Sequence, residues 1–182
     1  PDGWSREEQI AFWVNVYNGH VLESIIRRPE LHSVRDVGKK LGVPTGAFFR
    51  EGFIVAGRDL SLNDIEHGIL RTRFQEPRVH FVLNCASASC PVLPERALSG
   101  IGLDSELERA TARFLTDRSR NEIDPARELR LSSIFEWYGD DFKAAAGSVP
   151  QFIERHWPRQ DRFAPGLPVH FLEYDWSLNG TW

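Results

Sequence analysis

Asn84-Cys85-Ala86-Ser87-Ala88-Ser89-Cys90-Pro91 is the segment of this chain best equipped for chemistry. An apolar run, Val79 to Leu83, stops abruptly there and gives way to small residues and a proline. Small side chains let a backbone approach another group closely, and the hydroxyls of Ser87 and Ser89 offer a ligand both donors and acceptors. A cysteine at the exposed end of a buried strand can act as a nucleophile when a neighbour favours its thiolate. The plainer reading makes Cys85 a small core residue and lets Cys90 merely precede a turn, since free cysteine is among the most buried residue types.

Two histidines compete as the base. The segment Asp64 to Arg71 places Glu66 and His67 in the second turn of a capped helix. Neighbours on an α-helix point about 100° apart, so these two are not expected to face one pocket together. His67 shares its side with Arg71, four residues on. Gly68 costs about 1 kcal/mol relative to Ala in mid-helix and predicts close packing against another backbone. The alternative is a surface helix carrying an incidental histidine. His80 lies in Val79 to Asn84, which reads as a buried strand. On a strand, His80 and Cys85 are an odd number apart and face opposite sides. His67 is therefore the easier partner for Cys85, and His80 serves only where the chain kinks near Asn84.

Asn15 and Asn18 stand three apart on the first helix, on the side of Ala11 and Leu22. Buried amides need partners, so these either bond other main chain or line a site as substrate-binding groups. His80, Cys85 and Cys90 read as metal ligands would need His67 as a fourth, and their spacing lacks the paired Cys-x2–4-Cys pattern of structural zinc. No metal and no other cofactor is expected. Gly100-Ile101-Gly102 precedes a helix, but the phosphate-loop spacing and a following Lys-Ser or Lys-Thr are missing.

The elements that must hold these groups follow from caps and periodicity. Ser5 to Glu8 is a capping box. The helix it opens carries Ile10, Trp13, Val16, Tyr17, Val21 and Ile25 at helical spacing and stops near Pro29. A second helix is predicted over Val34 to Leu41, ending at Gly42. Phe48 to Val55 is β-prone but interrupted at Glu51-Gly52, and Ala56 to Asp59 is a turn with Gly57 at positive φ. Ser61 to Asp64 is an acidic capping motif for a helix reaching Phe74. Helices are expected over Asp104 to Arg118, Phe135 to Ala146 and Val149 to Trp157, and strands over Glu128 to Leu131 and Val169 to Tyr174. Without a regular βαβ rhythm this is an α+β arrangement in a single domain over residues 1–182, with N-terminal helices on a small, mostly antiparallel sheet.

Composition excludes some partners. The net charge of −4, with acidic and basic residues interleaved in short runs, lacks the basic stripe that phosphate neutralisation needs, so no nucleic acid is expected. No stretch approaches the roughly 18 apolar residues of a membrane span. The chain opens at Pro1 without an initiator Met, which predicts that an upstream segment was removed and leaves export open. Two cysteines at close spacing suit a short-loop disulfide outside the cell or a pair of thiols inside it. The six Trp and 12 Phe, with no Met, predict a core of flat, rigid side chains.

Four strings in order resemble the DUF547 family, a domain of unknown function. They are Ala11 to Asn18 (AFWVNVYN), Leu60 to Arg71 (LSLNDIEHGILR), His80 to Pro91 (HFVLNCASASCP) and Tyr174 to Asn179 (YDWSLN). The resemblance spans about Trp4 to Asn179. It implies relatives in bacteria, where they are often exported, and in animals and plants. Some animal relatives are joined to a glutaredoxin-like domain, which points toward thiol or glutathione chemistry. In plant relatives a residue like Cys85 is kept while the one like Cys90 is often Ser, which makes Cys85 the nucleophile candidate. The family is also similar, distantly, to papain-like and transglutaminase-like thiol enzymes.

Three functions follow as expectations. In the first, Cys85 attacks an amide or thiol-linked carbonyl and His67, or His80 across a kink, takes its proton. Glu66, Asn18 or Asp175 then orients the imidazole, main-chain N–H groups from Ala86 to Ser89 hold the oxyanion, and Arg71 or Arg78 binds a substrate carboxylate. The partner is a small thiol or peptide-like molecule, with a γ-glutamyl thiol such as glutathione favoured. In the second, the same pocket is a glutathione- or peptide-binding module without catalysis. In the third, Cys85 and Cys90 form a structural disulfide and both histidines are core residues.

Overall fold

The computed structural model describes residues 3–38 and 46–180. Helix α1 (Arg6–Ile26) begins at the expected capping box: the Ser5 hydroxyl accepts from Glu8 N–H at 3.1 Å and the Glu8 carboxylate accepts from Ser5 N–H at 2.8 Å. Its buried stripe includes Ile10, Val14, Tyr17, Val21 and Ile25. The predicted second helix is a single 3₁₀ turn, Val34–Asp36, because Val37 is already extended; the rest of that prediction lies outside the described residues. The β-prone stretch from Phe48 divides into a helical turn, α2 (Ala47–Arg50), and a strand, β1 (Phe53–Val55). Strand β1 turns back through Ala56 and Gly57, at φ 49° and 78°, onto antiparallel β2 (Arg58–Leu60). Two successive positive φ values are what a tight two-residue hairpin needs, and Gly57 was the sequence's marker for it.

The helix after Ser61 is wound wide, as a π-helix over Asp64–Phe74. Its start is a reciprocal box, with Asp64 N–H donating to the Ser61 hydroxyl at 3.1 Å and Ser61 N–H to the Asp64 carboxylate at 2.9 Å. Asp64 is thereby held below the usual carboxylate range by its Ser61 hydrogen bonds. The close packing expected at Gly68 is not found: a Cβ there would meet nothing within 4 Å.

The largest departure concerns Val79 to Asn84, which is not a strand. Pro77–Phe81 forms a 3₁₀ turn, and Val82 and Leu83 N–H both return to Val79 O. Every residue from Val79 to Asn84 is buried. A short, largely apolar run without periodicity suits a buried strand or a buried helical turn equally, and Pro77, with its fixed φ at the first helical position, selects the turn.

The C-terminal half contains α3 (Leu103–Thr116), β3 (Glu122–Asp124), β4 (Glu128–Ser132), α4 (Ile134–Trp137), α5 (Gly139–Ala146), α6 (Val149–His156) and β5 (Val169–Leu172). Strand β4 is central, antiparallel to β3 and parallel to β5, with Leu129 opposite Val169 and Leu131 opposite Phe171. The fold is α+β. One apolar cluster joins α1, the π-helix and Leu103 and Leu107 of α3. The other packs Leu129 and Leu131 against a group of phenylalanines. Phe81 is central to that group, with ring centroids 4.9 Å from Phe114 and 5.7 Å from Phe142. The two clusters meet at the 3₁₀ turn, so His80 sits at the seam. Among the described residues no helix is long and apolar enough to cross a membrane.

Gly100 has a packing role. A Cβ there would come within 2.9 Å of Glu8 N and 3.0 Å of Glu8 Cα, so the loop before α3 seats directly on the start of α1. Gly100→Ala is expected to cost about 1–3 kcal/mol by forcing α1 and α3 apart, read as a lower midpoint of chemical unfolding. A midpoint unchanged from wild type would show that the contact yields freely.

Candidate active site

Cys85, the π-helix and the 3₁₀ turn converge on one cavity of about 230 Å³. Its wall includes Glu66, His67, His80, Leu83, Cys85 and Cys90, faced by Tyr138, Tyr174 and Trp176. The turn at Pro77–Phe81 explains how His80 arrives. Val79 to Leu83 wind as a turn, and His80, Leu83 and Cys85 all line the cavity, where a strand would have sent His80 and Cys85 to opposite faces. Glu66 and His67 also both reach the cavity, against the α-helical expectation. The π-helix takes more residues per turn, which narrows the angle between neighbours.

The two histidines are held differently. His80 Nε2 lies 2.8 Å from Asp141 Oδ2, on α5. Burial alone would raise the Asp141 carboxyl, but hydrogen bonds from His80 and from Arg71 outweigh it and hold it far below the usual carboxylate range. A carboxylate accepts, so His80 Nε2 carries a proton and Nδ1 is the nitrogen left to accept one. Tyr138 stacks on the His80 ring with centroids 3.9 Å apart and donates a short hydrogen bond to Glu66. Glu66 thus bonds the phenol that stacks on His80 and not an imidazole. Burial first, then the Glu66 charge, pushes the Tyr138 and Tyr17 phenols above their ordinary range, so both stay donors. His67 Nδ1 accepts from Arg71 Nη1 at 2.9 Å, which leaves the proton on Nε2 and makes that nitrogen a donor.

The arginines expected to bind a substrate carboxylate are engaged within the fold. Arg71 makes a two-pronged pair with Asp141, at 2.6 and 2.9 Å. Arg78 is bound by Glu76 at 2.7 Å, Asp104 at 2.8 Å and Glu108 at 3.4 Å. Asn15 and Asn18 bond main chain: Asn15 exchanges hydrogen bonds with Leu98, while Asn18 takes Val82 O and Asn84 N–H. Asp175 caps Ser177 at the surface and does not orient a ring.

Cys85 and Cys90 are joined as a disulfide, with Cα atoms 6.2 Å apart. The loop between them is braced through its backbone N–H groups, mostly by Asn84 and the 175–177 segment. Ala86 N–H donates to Asn84 Oδ1 at 2.7 Å, Ala88 N–H to Ser177 O at 2.7 Å, Ser89 N–H to Asp175 O at 3.2 Å and Cys90 N–H to Ser87 O at 2.9 Å. The N–H groups of Ala86, Ala88 and Ser89, expected to hold an oxyanion, are thus occupied. Two other donors stand at the sulfurs. Cys85 N–H points at Cys90 Sγ from 3.0 Å, and the Tyr174 hydroxyl is 3.4 Å from Cys85 Sγ and 3.2 Å from Cys90 Sγ. Burial raises the Tyr174 phenol, so it remains a donor. Ser87, fully buried, places its hydroxyl 3.4 Å from Cys85 Sγ, while the Ser89 hydroxyl accepts from Asp175 N–H at 2.9 Å. Ala86, at φ 64°, turns the chain immediately after Cys85. A non-glycine residue in that region costs on the order of 1–2 kcal/mol, and here Asn179 N–H holds its carbonyl at 2.9 Å.

Asp141, Tyr138 and Tyr174 were missed as site residues. The family resemblance singled out the string from Tyr174 to Asn179, which was the one available signal for the phenol. Nothing local marked Asp141 or Tyr138.

The family model described as "Protein of unknown function, DUF547" matches residues 1–115. That span holds Glu66, His67, His80, Cys85 and Cys90, and it stops before Tyr138, Asp141 and Tyr174. No curated protein and no solved structure matches the chain.

Proposed function

The chain belongs to the DUF547 family, and from that premise we propose that it is a thiol-dependent enzyme acting on an amide, peptide or γ-glutamyl substrate. Cys85 is the nucleophile, His80 the base and Asp141 the group that orients it. The observation that carries this reading is the 2.8 Å bond from His80 Nε2 to Asp141, within a cavity that also opens onto Cys85. It leaves His80 Nδ1 as a proton acceptor, whereas the Arg71 contact makes His67 a donor.

The chemistry begins once the disulfide is reduced. His80 Nδ1 takes the Cys85 proton and the thiolate adds to the acyl carbon. Charge developing on the carbonyl oxygen faces the Tyr174 hydroxyl, a donor that stands 3.4 Å from Cys85 Sγ before the reaction. The carbon–nitrogen bond breaks as His80 returns its proton to the leaving amine. Water, deprotonated by the same imidazole, then attacks the thioester carbon and releases the acid, and Cys85 recovers its proton.

The test is the alkylation rate of reduced Cys85 by iodoacetamide at pH 6, compared with free cysteine. A rate well above free cysteine is expected, because a neighbouring imidazole keeps part of the sulfur as thiolate. A rate no higher would remove the mechanism's main support. Tight binding of a peptide or of glutathione without any product would leave the cavity as a binding module.

A further inference from the structure

Cys85 and Cys90 differ in ways that make them an asymmetric pair. Cys90 is 2% exposed, whereas Cys85 is partly exposed and opens into the cavity. Both protein hydrogen-bond donors at Cys90 Sγ, Cys85 N–H at 3.0 Å and the Tyr174 hydroxyl at 3.2 Å, are placed to receive negative charge on that sulfur. The surrounding loop is held by bonds that involve no sulfur. Arg120 donates to Cys90 O at 2.7 Å and to Ala88 O at 3.1 Å, and Asn84 Nδ2 ties Pro91 O at 2.7 Å. The sulfur–sulfur bond can therefore open and close while the backbone that positions both sulfurs stays in place.

From this asymmetry we propose that the pair is a thiol–disulfide exchange site for small thiols and their disulfides, with Cys85 as the sulfur that exchanges and Cys90 as the one that resolves. The inference rests on Cys85 being the reachable sulfur of the proposed enzyme, and it adds the regulation of that same site. In the reducing direction a small thiolate attacks Cys85 Sγ from the cavity. The bond to Cys90 breaks, and Cys90 leaves as a thiolate received by Cys85 N–H and Tyr174. A second small thiol then attacks its own kind in the mixed disulfide and frees Cys85. The sum is two small thiols oxidised to one small disulfide and one protein disulfide reduced to two thiols. In the oxidising direction a small disulfide places half of itself on Cys85. Cys90, deprotonated, then displaces that half as a thiol and closes the ring. Acyl chemistry is possible only in the open state, so the thiol poise of the surroundings gates it.

Reduced protein exposed to glutathione disulfide tests this, with intact mass read over time. In Cys90→Ser, and in Cys90→Ala as a second variant, one glutathionyl group is expected to accumulate on Cys85 and stay. In wild type the adduct is expected only transiently, ending as protein that has lost two hydrogens, with Cys85 and Cys90 linked in its peptide map. Cys85→Ser is expected to take the group onto Cys90 at least about tenfold more slowly, since that sulfur must first be uncovered. A wild-type adduct that persists, absence of any adduct in both Cys90 variants, or equal uptake at Cys90 and Cys85 would each overturn the exchange site. Circular dichroism of each variant separates loss of reaction from loss of fold. Exchange that proceeds normally while Cys85 shows no accelerated alkylation at pH 6 would defeat the enzyme reading and leave the exchange site standing.

Discussion

Replacing His80 with Ala should slow alkylation of reduced Cys85 at pH 6 by about two orders of magnitude, the lower end of what a positioned base contributes. Replacing His67 with Ala should change it by less than about threefold, under roughly 1 kcal/mol of barrier. The contrast follows from which ring nitrogen is free. His80 donates through Nε2 to a carboxylate that His80 and Arg71 keep ionised, so its Nδ1 accepts. His67 is bonded at Nδ1 to the Arg71 guanidinium, which can only donate, so its other nitrogen bears hydrogen. Asn at position 80 serves as a second variant, since His80 is buried beside Tyr138 and Phe142 and Ala leaves a hole there. If His67→Ala produces the large loss and His80→Ala the small one, the roles are reversed and Asp141 is a structural partner only.

The reading that preferred His67 to His80 as the base rested on one local assignment, the strand over Val79 to Asn84, where the structure has a turn. Capping boxes at Ser5 and Ser61 rest on residues three apart, and both were legible and present. Gly57 announced its hairpin in the same way. By contrast, Val79 to Asn84 carries no periodicity that separates strand from turn, and the parity argument that set His80 aside depended on the strand. The π-helix is a second case, because apart from Gly68 the run Asp64 to Phe74 reads as an ordinary helix, yet its wider winding brings Glu66 and His67 to one cavity. Distance in sequence hid the rest. Asp141 meets His80 across 61 positions and Tyr174 meets Cys85 across 89. Asp140-Asp141 in the first turn of α5 also reads as ordinary charge complementing a helix start. Ala86 gives no sign of its positive φ, since the Asn84 and Asn179 side chains and backbone that hold it are supplied by the fold.

Asp141→Ala should destabilise the protein by about 2–3 kcal/mol, more than the loss of either hydrogen-bonding partner's contact alone, because it strands two groups at once. Arg71 would keep its charge in a partly buried site with only His67 and the Tyr138 ring, 5.0 Å from the guanidinium carbon, to face. His80 would lose the acceptor for its Nε2 proton inside the core. Asp141→Asn should cost less, since the amide oxygen can still accept from one of them. The pH dependence distinguishes this from simple loss of packing. The Asp141 carboxyl titrates lower in the folded protein than in the unfolded chain, so its contribution is complete above the unfolded carboxylate value of about 3.9. It declines as pH falls through that value and on toward the folded one. The gap in unfolding free energy between wild type and Asp141→Asn, measured in urea, should therefore be widest near neutrality and narrow below about pH 4. A gap of constant size from pH 7 to pH 3 would mean that the ionised carboxylate adds nothing to the fold beyond its shape, and the electrostatic bracing proposed for His80 would lose its physical basis.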